Sequence, residues 1–251
     1  AKVLDAKMCE IYTDVEGVYT ADPRIVPDAR KLNKISSEEM MELASLGAQV
    51  MQARSMEVAS KFNIPIHVRS SFSNADGTLI TKEVEDMEDV LVRGVTVNKN
   101  EAKVTICDVP DKPGEASKIF EALSKSAINV DMIIQNISRT KSTDISFTID
   151  EKDMSKVQDV IGKITKQIGA RGIKYDKNIA KVSVVGIGMR SHSGVAAKMF
   201  KSLAEKNINI EMISTSEIKI SCVIERKHAA EAVKAIHRTF KLNKKRQKSG
   251  K

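Results

Sequence analysis

Asp111, Lys112, Pro113, Gly114 and Glu115 form a short polar turn between a β-branched run at 103–108 and a stretch in which Ala116, Ile119, Phe120 and Leu123 recur at helical spacing. A turn that opens a helix presents unpaired backbone N–H groups at the positive end of the helix dipole, which suits a carboxylate or a phosphate. Asp111 and Glu115 flank this one, so a small zwitterion could set its carboxylate on the amides and its ammonium beside an acid. Taken alone, Pro113-Gly114 is also what an ordinary strand-to-helix turn uses.

The same arrangement returns at an offset of 80 residues: Gly114 matches Gly194, Ile119-Phe120 matches Met199-Phe200, Ile128-Asn129 matches Ile208-Asn209, and Asp131-Met132-Ile133 matches Glu211-Met212-Ile213. In the second copy Val195, Met199, Phe200 and Leu203 carry the helical apolar face. The chain contains a duplicated module.

A length of 251 residues with 41% hydrophobic content suffices for two or three small domains with their own cores. No apolar run approaches the roughly 20 residues that span a bilayer, and the opening AKVLDAKMCE lacks the pattern of a secretory signal, so a cytoplasmic protein without membrane partners is expected. Cys9, Cys107 and Cys222 are read as reduced structural thiols, and His67, His192, His228 and His237 make no ligand-like spacing with them, so no metal site is expected. Of the net charge of +8, six units come from the acid-free tail at 241–251. With 4% aromatic residues and no Trp, stacking platforms for nucleic acid are scarce, and a solvated basic tail is the better account. A nucleic-acid binder using that tail is the remote alternative.

Residues 8–12 read as a strand ending at Thr13-Asp14, and VEGVYTADPRIVPDARKL after it is a long polar loop without helical period, of the kind that carries function. Ser36 and Glu39 form a capping box that starts a helix, Gly47 interrupts the pattern, and a second helix is expected over 49–61. Strands are expected at 64–69 and 78–81, with a turn at 74–77 between them.

TDVEGVYTADPR at 13–24, SSEEMMELASLGAQVMQARSMEVA at 36–59, IPIHVRSSF at 64–72 and GTLIT at 77–81 together resemble the C-terminal part of the kinase domain of bacterial aspartate kinases. The duplicated module resembles the pair of ACT regulatory domains that follows it in that family. The fold class implied is α/β (α+β): a partial amino-acid-kinase α/β domain followed by two ferredoxin-like βαββαβ ACT domains, one inserted in the other. The corresponding division is 1–89 for the kinase portion, 98–177 for the contiguous inserted ACT domain, 90–97 with 178–242 for the second, and 243–251 for the basic tail. Within it, strands are expected at 103–108, 130–136, 144–150 and 172–176 with helices at 115–126 and 154–168. The second repeat carries strands at 180–187, 210–217 and 219–225 with helices at 194–206 and 229–240.

The resemblance implies that Thr13, Asp14, Tyr19 and Arg24 lie on the nucleotide side of the kinase fold, with Mg-ATP as a substrate of the full enzyme and no bound cofactor. Their chemistry fits, since hydroxyl and carboxylate groups contact ribose or base, Tyr packs on adenine and Arg neutralises phosphate. Without the family, Asp14 to Gly17 followed by one Arg reads as a turn. Gln49 stands where many members carry Lys and cannot supply that positive charge. Effector amino acids, lysine and threonine, are expected at the ACT seams. In the first copy these involve Asp111, Lys112, Pro113, Gly114, Glu115 and Ala116, with Gln135 and Asn136 on the facing strand. In the second they involve Met189, Arg190, Ser191, His192, Gly194 and Val195, with Asn209, Ile210, Thr215, Ser216 and Glu217. Backbone groups at Asn209 and Ile210 suit an amino-acid main chain, and Asp111 or Glu217 suits its ammonium. The expected partners are a second copy of the chain through the ACT domains or a separate catalytic subunit. The alternative reading is a non-catalytic regulatory β subunit.

The family's glycine-rich phosphate grip and aspartate-binding residues have no counterpart in this sequence, so the resemblance implies the C-terminal portion of a longer protein, with no catalytic residues of its own. Phosphoryl transfer rests on positioning and charge stabilisation, which half a site does not supply. The expected outcome is no ATP-dependent aspartyl-phosphate formation by this chain, and turnover above background in that assay would overturn the expectation.

Overall fold

The computed structural model describes residues 1–48, 50–82, 84, 90–137 and 142–244. Two compact units are present, one built from Ala1–Asn98, Val182–Ile224 and His228 onward, the other from Lys99–Lys181 with Glu225–Lys227.

The first unit begins with a four-stranded sheet. Its strands are β1 (Cys9–Thr13), β2 (Lys34–Ser36), β3 (Ile66–Ser70) and β4 (Thr78–Thr81), with helices α1 (Ser37–Ser45) and α2 (Ala53–Lys61) between β2 and β3. The order is β1-β3-β4-β2, with β1 parallel to β3 and β2 parallel to β4. Strand β3 alternates as its pattern requires, burying Ile66, Val68 and Ser70. The capping box forms as read from the sequence: Ser36 Oγ accepts from Glu39 N at 3.2 Å, and Glu39 Oε2 accepts from Ser36 N at 3.4 Å. Helix α1 then buries Glu39, Met40 and Leu43.

The second unit is a complete βαββαβ module: β6 (Glu101–Pro110), α3 (Glu115–Lys125), β7 (Val130–Ile137), β8 (Ser142–Asp150), α4 (Met154–Ile168) and β9 (Gly172–Asp176), in the antiparallel order β7-β8-β6-β9. Helix α4 buries Met154, Val157, Ile161, Ile164 and Ile168, one stripe at helical period, and ends on Gly169 in the left-handed region at φ 73°. Ile119 and Leu123 of α3 close the same core against Val104, Ile145 and Phe147.

The second copy of the module returns to the first unit with β10 (Ile179–Val185), α5 (Val195–Ala204), β11 (Met212–Thr215), β12 (Lys219–Glu225) and α6 (Ala229–Thr239). Its sheet runs β11-β12-β10-β5, where β5 is Gly94–Asn98. A strand that precedes the first repeat therefore holds the place that β9 holds in the other sheet. Cys222 lies in the middle of β12, and burial pushes its thiol up to about 12, beyond any reactive range.

Several boundaries differ from those read in the sequence. The strand expected at 90–97 starts only at Gly94, because Arg93 N–H already bonds to Val185 O at 2.7 Å and the chain turns there to bring Val95 N to Thr20 O at 2.8 Å. The helix expected from 49 starts at Ala53: Met51 is drawn into the core, and Gln52 is extended as the N-cap at φ −84° and ψ 132°. Strand β2 was not expected, and three residues are too short to show alternation. The strand expected at 210–217 is shorter, because Ser216 N bonds to Lys219 O at 2.9 Å and closes the turn into β12.

Gly186, just after β10, is extended at φ 173°, so its backbone needs no glycine. Space does: a Cβ there would lie 2.5 Å from Leu91 O and 2.9 Å from Val92 Cα, both backbone. Gly186→Ala is expected to cost about 2 kcal/mol as overpacking against an unyielding backbone. A lower melting midpoint with unchanged far-UV circular dichroism is the expected result, and a wild-type melt would contradict the close approach.

Candidate functional site

The two duplicated turns each border a cavity. The one in the second unit, about 350 Å³, is lined by Asp111, Lys112, Pro113, Gly114, Glu115, Ala116 and Gln135, all expected from the sequence. Val109 and Pro110 at the end of β6, and Thr143 and Ile145 on β8, complete it and were not expected. Strand β8 is the central neighbour of β6 and so passes behind the turn, a placement that strand order gives and residue type does not. Asn136 is exposed beside the cavity, where its carbonyl accepts from Thr143 Oγ1.

The cavity in the first unit, about 440 Å³, is lined by Met189, Arg190, His192, Gly194, Val195, Thr215, Ser216 and Glu217 as expected, together with Ala196 and Ile220. Ser191, Asn209 and Ile210 are not among its lining residues. His192 Nδ1 lies 3.0 Å from Gly188 O, which makes Nδ1 the protonated nitrogen. Arg190 reaches Glu217 Oε2 through Nε at 3.1 Å and Glu38 Oε1 through Nη2 at 2.5 Å.

Both cavities share one construction. Gly114 and Gly194 are the N-cap residues of α3 and α5, at φ 96° and 90°, in the left-handed region where a side chain is strained. Neither helix receives a side-chain cap; in α3 the Glu115 amide makes a long 3.4 Å bond to Lys112 O, and the amides that follow it in the first turn are left to water or to a ligand. In the second unit Glu115 holds Lys118 through Oε1 at 2.9 Å, while its buried Oε2 has no hydrogen-bond partner. That oxygen is an acceptor in want of a donor, and an ammonium group would satisfy it.

The residues expected near nucleotide sit on or after β1. Thr13 closes the strand and donates from Oγ1 to Asp14 at 3.0 Å. Tyr19 pairs with Lys31 in an isolated bridge, and burial, with Glu16 adding to it, raises its hydroxyl pKa. Arg24 is exposed and bound to Asp22 at 2.8 Å, a hydrogen bond that raises its pKa first, with Asp14 adding a smaller electrostatic pull. Asp14 and Arg24 are thus within electrostatic reach of one another. Gln49 lies outside the described residues, as does most of the basic tail.

A residue that the sequence did not single out holds this loop. His237 of α6 is fully buried, with Nε2 2.9 Å from Thr20 Oγ1, which also accepts from Arg30 N at 3.0 Å. Ala21 and Val26 of the loop pack into the same core as Val233 and Ile236 of α6. A lone histidine at helical spacing gives no sign of this in the sequence.

The ACT domain family matches residues 108–163 and 182–240, and the amino acid kinase family matches residues 1–70. The aspartate kinase of Pseudomonas putida is 52% identical over 244 residues, 97% of this chain and 59% of that protein. A solved structure of aspartokinase alpha and beta subunits is 46% identical at a TM-score of 0.57, covering 60% of this chain and 99% of that one. This chain belongs to the aspartate kinase family. Aspartokinase III of Escherichia coli, solved with aspartate and ADP and again with lysine and aspartate, is 25% identical over 95% of this chain and 53% of that one, with TM-scores of 0.82 and 0.73. The chain spans just under three fifths of the length of the Pseudomonas putida aspartate kinase. Among the described residues no helix is long and apolar enough to cross a membrane.

Burial lowers the pKa of His237, Asp28 opposes that shift and Arg30 adds to it. A depressed folded-state value means that the unfolded chain takes up the proton first as pH falls below about 6.5, so this histidine's contribution is present above that pH and is lost below it. His237→Gln is expected to flatten the fall of the melting temperature between pH 7.5 and 5.5. An identical slope in both proteins would remove His237 from the account.

Proposed function

We propose that the chain is the regulatory C-terminal part of an aspartate kinase, the enzyme that phosphorylates L-aspartate with ATP to 4-phospho-L-aspartate at the head of lysine, threonine and methionine synthesis. In this reading its two turn cavities bind lysine, threonine or both as feedback inhibitors. The observation that carries it is the pair of glycine-led, uncapped helix N-termini, each opening on a cavity with charged residues at its rim. Amides at a helix start suit the α-carboxylate, and Glu115 or Glu217 suits the ammonium. The lysine complex of the Escherichia coli relative supports the same class of ligand.

The domain division follows from this reading: 1–89 as kinase portion, 98–177 as the inserted ACT domain, 90–97 with 178–242 as the second, and a basic tail at 243–251. Thr13, Asp14, Tyr19 and Arg24 lie on the nucleotide side, and the chain alone is without kinase activity. Pairing of two chains, or of this chain with a catalytic subunit, uses the sheet edges. Strands β7 and β11 are edge strands, and their equivalent residues Ile133 and Ile213 are 52% and 42% exposed. Exposed edges with apolar side chains call for a partner strand. A regulatory subunit alone is the second reading. The solved α and β subunit structure favours it as an architecture but leaves two fifths of this chain outside the match.

The test is a calorimetric titration of lysine, threonine and both together onto the chain, with its solution mass recorded before and after. Saturable binding, lost in Glu115→Gln or Thr215→Ile with native circular dichroism, is expected. Failure of both amino acids to bind a folded protein would overturn the assignment.

A further inference from the structure

Three consecutive carboxylate ties run from α1 to the second ACT repeat. Glu38 Oε1 lies 2.5 Å from Arg190 Nη2, Glu39 Oε1 accepts from Ile187 N at 3.1 Å, and Glu42 Oε2 lies 3.0 Å from Lys219 Nζ. Residues 38, 39 and 42 occupy the first turn and a half of the helix, and 187 to 190 form the short turn that follows β10. Of the repeat residues held in this way, Arg190 also lines the cavity. Its guanidinium stands between two carboxylates, Glu38 on α1 and Glu217 at the rim.

The duplicate shows that this is an addition to the module. In the first copy Pro110 occupies the position of Arg190, and β6 continues through a bulge to reach it, whereas β10 stops at Val185 and the chain winds into the turn. The change of backbone aims Ile187 N at Glu39, and the change of residue places a cation where the first copy has none.

We propose that Arg190 is exchanged between α1 and the ligand: an amino acid entering the cavity takes the guanidinium with its α-carboxylate, Glu38 loses its partner, and the first turn of α1 reports the occupancy. This rests on the reading of the cavity as an amino-acid site. The physical basis is the geometry of arginine. Its planar fork serves one carboxylate well in two-point fashion, and a ligand carboxylate so bound displaces the side-on contact from Glu38. The displaced pair is close to half exposed on both sides, so the exchange is cheap enough to be reversible. Glu39 is buried and keeps the turn attached, so the change is confined to the helix start. By linkage, whatever loosens Glu38 must tighten the ligand, and the reverse.

The experiment uses this chain with L-lysine and L-threonine as probes, reading affinity by calorimetry and amide hydrogen exchange over 37–45. Binding to the wild type is expected to raise exchange in the first turn of α1. Glu38→Gln, which removes the competitor, is expected to bind about threefold tighter, the range of one exposed ion pair, with exchange already raised and no further response. Glu42→Gln is the control: its partner Lys219 is outside the cavity lining, and wild-type affinity is expected. A ligand that binds wild type while α1 exchange and the Glu38→Gln affinity stay unchanged overturns the exchange alone and leaves the amino-acid site standing. Equal tightening in Glu38→Gln and Glu42→Gln also overturns it, as a general charge effect. Absence of binding by either amino acid to any of these proteins overturns the site and the exchange together.

Discussion

A single fully buried carboxylate holds the first unit together. Glu39 accepts from Ser36 N and Oγ at its own helix start, from Arg93 Nε on the approach to β5, and from Ile187 N beyond β10. A buried charge is tolerated only when its lone pairs are taken up, and removal of one partner leaves the penalty of the rest. The capping box, the entry to β5 and the exit from β10 are thus conditions on one another. Helix α1 therefore cannot shift relative to the second ACT sheet without stripping a buried anion.

Duplication explains why the two cavities look alike, and divergence explains why they differ. The shared parts are those that geometry demands of the module: a left-handed glycine, a helix that opens without a side-chain cap, and an apolar stripe beneath. What differs lies at the strand end. The first copy continues β6 through a bulge to Pro110, while the second replaces that extension with the turn at Ile187–Arg190. In the second copy that turn brings the Ile187 amide onto the buried Glu39 carboxylate.

The sequence was most legible where the signal is local. Ser36 and Glu39 announced α1 to the residue, the apolar stripe gave α4 its bounds, and a self-match at fixed offset exposed the two modules and most of the residues around their cavities. It was least legible where partners lie far apart in the chain. Glu39 read as a cap, yet it also meets an amide 148 residues away. His237 read as an isolated histidine, yet its partner Thr20 is 217 positions earlier. Thr143, Ile145 and Ile220 entered the cavities from strands whose adjacency depends on sheet order. Strand β5 was anticipated but begins late, because Arg93 spends its backbone and side chain on Val185 and Glu39 before the strand starts.

The placement of β5 also sets a schedule for synthesis. It emerges from the ribosome before the whole inserted module, and its sheet neighbour β10 follows only at Ile179. At roughly 5–20 residues per second the strand waits for several seconds without its partner. During that interval the inserted module, with its strands and helices contiguous in sequence, can close on its own, while the sheet around β10 cannot. The nascent chain must therefore carry an unpaired, apolar strand past a folding domain. At 5 residues GVTVN is a short strand, which limits the unpaired edge it offers to another chain until β10 arrives.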